Sequence, residues 1–275
     1  LAYRNLGTTE EAIKDALRQS PTMHLDETGM YVNGKRFWGH GSGNDRYTYY
    51  FCHKQRGGEA IKAGGMLFEY LGRIIHDGWK SYFDFDCLHA LCNAHHLREL
   101  VFIKEHYKQT WAGSMIKLLC RIKKTVDTAK KANRNELAGA TLQKYRNRYR
   151  RLIGAGYRAN PPRPPSQRRK GQRGKLKQHP SRNLLDRLSK YEAEVLAFMY
   201  DFRVPFDNNL AERDLRMNKV KQKVSGCFRS MRGAQTFCRI RGYISTVRKQ
   251  GENTIDYLLN VFQTDGTEVL LPDPE

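Results

Sequence analysis

An α/β fold with one antiparallel meander is what this sequence predicts, and three features carry that reading. Short β-prone runs alternate with Asn-Gly and Gly-Asn turns between Met23 and Cys52. The apolar run Arg73-Ile74-Ile75-His76-Asp77 stops at a glycine, as a buried strand would. Leu184, Leu185, Leu188, Tyr191, Val195, Leu196 and Met199 recur at helical spacing.

The elements follow in order. Residues 9–20 read as a helix, with Thr9 as its cap and Ala12, Ile13, Ala16 and Leu17 as its apolar stripe. Two or three strands joined by hairpins come next, then a helix over 59–71 despite Gly64 and Gly65. The strand ending at Asp77 precedes a strand or strand-to-helix segment, HALCNAHHLREL. Residues 101–151 are mainly helical and increasingly basic. Residues 154–182 mix proline, glycine and cations with few apolar groups, a composition for a mobile or extended segment that orders on a polyanion. The stripe of 184–199 is a buried helix that Pro205 ends, and Asp207 or Asn208 caps a further helix carrying Glu212. These readings divide the chain into a helical lead-in (1–22), a first part of the core (23–100), a basic helical insertion and loop (101–182), a helical part bearing Glu212 (183–250) and a tail (251–275).

Charge narrows the function. The chain of 275 residues carries a formal +21, and the excess is concentrated. From Arg121 to Arg182 there are 20 basic residues against Asp127 and Glu136; from Arg213 to Lys249 there are 11 against Asp214 alone. The remainder is mildly acidic. Two cationic blocks on such a body attract a phosphate polyanion in a salt-dependent way, and no apolar face beside the first block favours a lipid surface. Nucleic acid is therefore the expected partner. No run of apolar residues is long enough to span a bilayer, and six scattered cysteines do not make a disulfide framework, so a reducing, cytoplasmic setting is expected. The chain opens at Leu1 without a signal pattern and reads as a piece of a longer protein.

Three carboxylates stand out by context. Asp26 lies in the β-prone run His-Leu-Asp-Glu-Thr, Asp77 ends an apolar strand, and Glu212 opens a helix. Each alone reads first as a cap or a surface group. On adjacent strands and a facing helix they would hold two divalent ions about 3.5–4 Å apart, the arrangement for in-line phosphoryl transfer. Mg²⁺ or Mn²⁺ suits such an all-oxygen site. Helical spacing places Asn208, Glu212, Leu215 and Lys219 on one face, with Arg213 and Arg216 beside it as phosphate contacts; an ordinary charge-laced surface helix has the same spacing.

In order, HLDETG, IIHDGWKSY, LCNAHHLREL, VPFDNNLAERDLR, KVSGCFRSMRGAQTFCRIRGYISTVRKQG and DYLLNVFQ resemble the insertion-sequence-66 family of bacterial transposases, from about His24 to Pro274. That resemblance implies an RNase H-like mixed sheet, with Asp26, Asp77 and Glu212 as the catalytic, metal-binding triad. It also implies a large basic helical insertion between the second catalytic strand and the glutamate-bearing helix. Family members carry N-terminal DNA-recognition and cysteine-rich regions, and this chain starts after where those would sit. Leu25 stands where the family more often has a small residue. The implied reaction is metal-dependent cleavage of transposon ends followed by strand transfer into target DNA, by a homo-oligomer and with accessory transposition proteins. Lys80, Arg98, Arg213, Arg216, Lys219, Arg229 and Arg232 are the expected DNA-backbone contacts.

The cluster Cys87, His89, Cys92, His95 and His96 invites zinc, but its spacing is poor for a finger and no second pair completes a site. Cys92-Asn-Ala-His95 also resembles a Cys-x-x-His element beside the active sites of related transposases, which implies that His95 lies near the scissile phosphate without binding metal. Cys227 and Cys238 read as packing residues; Trp79 and Tyr82 read as cover for the sheet or as base-stacking rings. Two rivals use the same residues: a nuclease without strand transfer, and a non-catalytic DNA-binding remnant. A zinc-stabilised interaction module is a more distant one.

Overall fold

A computed structural model describes residues 1–164 and 176–272 of the chain. Of the segment 154–182 read as mobile or extended, residues 165–175 fall outside the described residues, whereas 154–159 are the last turns of a helix and a further helix opens at Pro180, so its two ends are helical instead. The fold is α/β: a mixed five-stranded sheet and eleven α-helices among the described residues. The chain forms two compact units, Leu1–His89 with Asn208–Glu275, and Ala90–Asp207.

In the first unit, β1 (Thr22–Val32), β2 (Lys35–Gly43) and β3 (Thr48–His53) form the expected meander. Asn33 and Gly34 both adopt positive φ between β1 and β2, the backbone that a two-residue hairpin turn requires. Asn44 closes the next turn by accepting hydrogen bonds from the backbone N–H groups of Arg46 and Tyr47. β4 (Arg73–His76) pairs with β1 in parallel, and β5 (Leu88–Leu91), on which the chain passes into the second unit, completes the order β3-β2-β1-β4-β5.

Alternation along β1 sends Met23 and Leu25 to one face and Met30 and Val32 to the other. The first face packs on α2 (Gly7–Gln19) and α3 (Gly58–Gly64) through Ile13, Leu17 and Ile61, joined by Tyr70 from the segment after α3. The second packs on α9 (Asn209–Ser225) and α10 (Met231–Lys249) through Leu215, Ala234 and Cys238. Leu6 of the turn after α1 (Ala2–Asn5), Val247 of α10, Val261 of α11 (Thr254–Gln263) and Leu270 form a third cluster.

Two helix boundaries differ from expectation. The first long helix starts at Gly7, so Thr9 lies inside it; its buried hydroxyl accepts the N–H of Leu270 instead of capping. The helix expected over 59–71 ends at Gly64, because Gly65 turns left-handed at φ 68.

The second unit is helical: α4 (Asn93–His106), α5 (Thr110–Lys131), α6 (Gly139–Ala159), α7 (Pro180–Lys190) and α8 (Glu192–Tyr200). The stripe of 184–199 is buried as expected but belongs to two helices broken at Tyr191, and the second ends at Tyr200, before Pro205. Gly156 lets α6 approach Leu185 of α7 more closely than any side chain would allow. Tyr149 donates its hydroxyl proton to the carbonyl of Leu188 at 2.8 Å, and Gln109 and Asn160 exchange a reciprocal pair of amide bonds. Most cations of α5 and α6 are exposed, with Arg146 and Arg150 paired to Glu192. No helix among the described residues is long and apolar enough to cross a membrane.

Candidate active site

The parallel pairing of β1 with β4 sets His24 beside Ile75. Carried two residues on, the same register puts Asp26 beside Asp77, where β4 has just ended and Gly78 turns the chain at φ 91. Asp77 is held by its own loop: Oδ1 accepts the N–H of Trp79 at 2.9 Å. A directed chain of hydrogen bonds fixes the preceding residue. Gly78 N–H donates to Nδ1 of His76, so the His76 proton sits on Nε2 and donates to Nδ1 of His89 at 3.2 Å; Nε2–H of His89 then donates to the Phe85 carbonyl. Burial, and secondarily His89, lowers the His76 pKa to about 3, consistent with the neutral ring this chain of bonds requires.

Glu212 reaches the same face of the sheet on the first turn of α9. Asn208, which stands at the start of that helix, does not cap it. Its buried side chain reaches β1 instead: Nδ2 donates to the Leu25 carbonyl at 2.9 Å and Oδ1 meets Nδ1 of His24 at 2.7 Å. Further along the helix, Leu215 is buried and Gln222 and Lys219 bond the Gly29 carbonyl, so the face predicted from spacing is the one that meets the sheet. Asp214 on the helix's other flank is gripped by Lys249 at 2.6 Å.

The result is a cluster of carboxylates. Asp26 is mostly buried, its Oδ1 takes the N–H of Glu27, and its pKa is pushed up to about 7. Burial is the main cause; the charges of Glu27, Asp77 and Glu212 add to it, and the backbone bond opposes it. The other two sequence-predicted carboxylates, Asp77 and Glu212, therefore both act on Asp26 electrostatically.

Glu27, not singled out from the sequence, lies beside them with only 1% of its side chain exposed. Arg56 Nε donates to it at 2.6 Å and the hydroxyl of buried Tyr82 donates to it at 2.7 Å. Burial raises the Glu27 carboxyl, while these two partners hold it down. The Arg56 guanidinium also lies 3.9 Å from Oδ2 of Asp77. Tyr82 is thus a packing residue, as read, whereas exposed Trp79 covers the Arg56 guanidinium rather than the sheet.

Among the expected DNA contacts, Lys80, Arg213, Arg216, Arg229 and Arg232 are exposed on the first unit, and Lys219 is exposed but bonded to Gly29. Arg98 is exposed on α4 in the second unit. Cys92 is buried at the start of α4 and His95 is half-buried in its first turn. Cys87 packs against the first core, and His96 is buried beside Asn93. Cys238 is buried, as a packing residue should be, but Cys227 is exposed and fills no core.

Asn208→Ala tests how far the α9 anchor matters. It leaves His24 and the Leu25 carbonyl without partners in a buried place, at about 1–3 kcal/mol each at most. A lower melting temperature is expected, together with weaker protection of the α9 amides in hydrogen exchange. Unchanged protection would show that Leu215 and Gln222 suffice to seat the helix.

No curated protein matches the chain significantly. The family model described as "Transposase IS66 family" matches residues 2–236, a span that takes in Asp26, Asp77 and Glu212 and most of the sequence. By that match, and in agreement with the motifs from HLDETG to VPFDNNLAERDLR, the chain belongs to the IS66 family of transposases.

Proposed function

We propose that this chain is the catalytic core of a DNA transposase on an RNase H-like sheet, cleaving transposon ends and joining them to target DNA with Asp26, Asp77 and Glu212. What supports the reading is that Asp26 feels the charges of both Asp77, which directly follows the strand parallel to its own, and Glu212, on a helix whose first residues bond that same strand. The residues suit Mg²⁺ or Mn²⁺: the donors are all oxygen, and the Asp26 carboxyl is pushed up to about 7, first by burial and then by neighbouring carboxylates whose charge a bound cation would offset. When bound, two such ions supply an activated water or 3′-hydroxyl and a counter-charge for the leaving oxygen.

The chain's own residues supply rigidity. Asp26 rides on a central strand, Asp77 is fixed by the Trp79 N–H and the His76–His89 bonds, and Glu212 follows the Asn208 anchor. Hydrolysis of one phosphodiester frees a 3′-hydroxyl, and attack of that hydroxyl on target DNA breaks a second phosphodiester while making a new one. Neither step needs a covalent enzyme intermediate. Exposed Lys80, Arg213, Arg216, Arg229 and Arg232, with the cations of α5 and α6, would hold the backbone. Homo-oligomers on paired DNA ends, accessory transposition proteins and a cytoplasmic setting belong to the same reading, on the strength of family membership.

Labelled transposon-end DNA with Mg²⁺ or Mn²⁺ tests this, with wild type beside Glu212→Gln. Cleavage and strand-transfer products are expected from wild type. The variant should lose more than about a hundredfold, beyond the 10–100-fold typical of removing a partner outside a metal's own ligands, while still binding DNA. Products from a pre-cut 3′-hydroxyl end separate a transposase from a nuclease. Equal binding by both proteins with no cutting by either would leave a DNA-binding remnant.

A further inference from the structure

We infer that a row of alternating arginines and tryptophans starting on the β1–β2 hairpin is a DNA-backbone track leading to the carboxylate cluster. The inference rests on the proposed function for the identity of the polyanion, and it assigns Arg36, Trp38 and Arg56, which neither the charge blocks nor the motifs include.

The row begins with Arg36 on β2. Gly29, one strand over, has no side chain, and Arg36 lies across it: a Cβ there would sit 3.6 Å from the guanidinium nitrogens. The Arg36 guanidinium packs on the Trp38 ring, 4.5 Å from its centroid. Arg56 lies 5.0 Å from the centroid of the same ring and 3.9 Å from that of Trp79. From there its guanidinium reaches to 3.9 Å from Asp77. Four side chains thus run without interruption from an exposed hairpin to the end of β4.

Alternation of the strands explains why they meet. Trp38 pairs with Gly29, so it lies on the face of Glu27, not that of Asp26. Arg56 bonds Glu27 on that face and passes the open end of β4 to approach Asp77. The track therefore approaches the cluster from the side of the sheet opposite α9.

Three properties suit this row to phosphate. Arg36 is exposed and has no acidic partner among the described residues, so its charge is unspent. Both guanidiniums are stacked on rings, which holds their planes and lowers the conformational entropy lost on gripping an oxygen pair. Their charge sits where a polyanion must come close to carboxylates, offsetting that repulsion. A surface built only to cover the sheet would not need Arg36 to be charged.

Fluorescence anisotropy of a short labelled duplex over a potassium chloride series, without divalent metal, tests the track. Each phosphate contact removed should flatten the plot of log affinity against log salt by about 0.9 for duplex DNA. Arg36→Gln is expected to flatten it by about one such contact, while Arg36→Lys keeps the wild-type slope. Arg4→Gln removes the same charge from exposed α1 and should leave the slope unchanged. An unchanged slope in the well-folded Arg36→Gln variant overturns the track, as does equal flattening by Arg4→Gln, which would reduce the effect to net charge. Because binding is read without cleavage, an inactive triad would sink the proposed chemistry and leave this result standing.

Discussion

Asp26→Asn is expected to stop DNA cleavage and, in the absence of metal, to make the protein more stable at pH 8. Its carboxyl has a folded-state pKa of about 7 against 3.8 in an unconstrained chain. The folded state thus holds a proton that the unfolded state gives up as pH rises through 4. Stability from this group is fully present below about pH 4, falls as pH rises towards 7, and is lost above it. At about 1.4 kcal/mol per pH unit the cost is at most a few kcal/mol. Asparagine keeps an oxygen for the Glu27 N–H but carries no charge, so the variant avoids that cost. Thermal melts in chelator should show the variant gaining on wild type from pH 5 to pH 8, with no gain near pH 4. Added Mg²⁺ should raise the wild-type melt and leave the variant's almost unmoved. A variant less stable than wild type at pH 8 would mean that Asp26 is already compensated by a protein cation, and that the cluster is not a vacant acidic site.

Leu185→Ala is the substitution expected to cost the second unit most. Leu185 is fully buried on α7, against the gap that Gly156 leaves on α6 and close to Trp111. Alanine removes three heavy atoms from a position where two helices already touch backbone to side chain, so little collapse is available. A loss of about 2–5 kcal/mol follows. Trp111 gives a selective probe once Trp38 and Trp79, the other two tryptophans and both in the first unit, are replaced by phenylalanine. Its fluorescence transition in urea should move to markedly lower denaturant with an unchanged slope. A shift under about 1 kcal/mol would mean that the α6–α7 contact relaxes into the space.

The carboxylates were legible because each sits at a place that local rules mark: a β-prone run, a strand end before glycine, a helix start. Their meeting was not, since it depends on the parallel register of β1 and β4, which no local pattern encodes. Glu27 escaped notice for the same reason. In the sequence it is one more acid after Asp26; only the passage of Arg56 and Tyr82 to its side of the sheet makes it a buried junction. Arg36 and Trp38 likewise needed the pairing of Trp38 with Gly29. Helix boundaries failed where tertiary bonds outbid local capping. Asn208 and Thr9 are good capping residues by type, yet each spends its side chain on a partner far away in sequence.

The first unit is discontinuous, and that has a consequence for biosynthesis. A ribosome releases β1 to β4, with Asp26 and Asp77, long before it reaches α9 and α10, because the whole stretch from Ala90 to Asp207 is translated between them. At about 5–20 residues per second the interval is on the order of ten seconds. During it, the sheet face of Met30, Val32, Tyr50 and Cys52 lacks the helices that later cover it, an invitation to chaperones or to aggregation. It also lacks Glu212. On the proposed chemistry, a nascent chain is unable to cut DNA until α9, with Glu212, has left the ribosome.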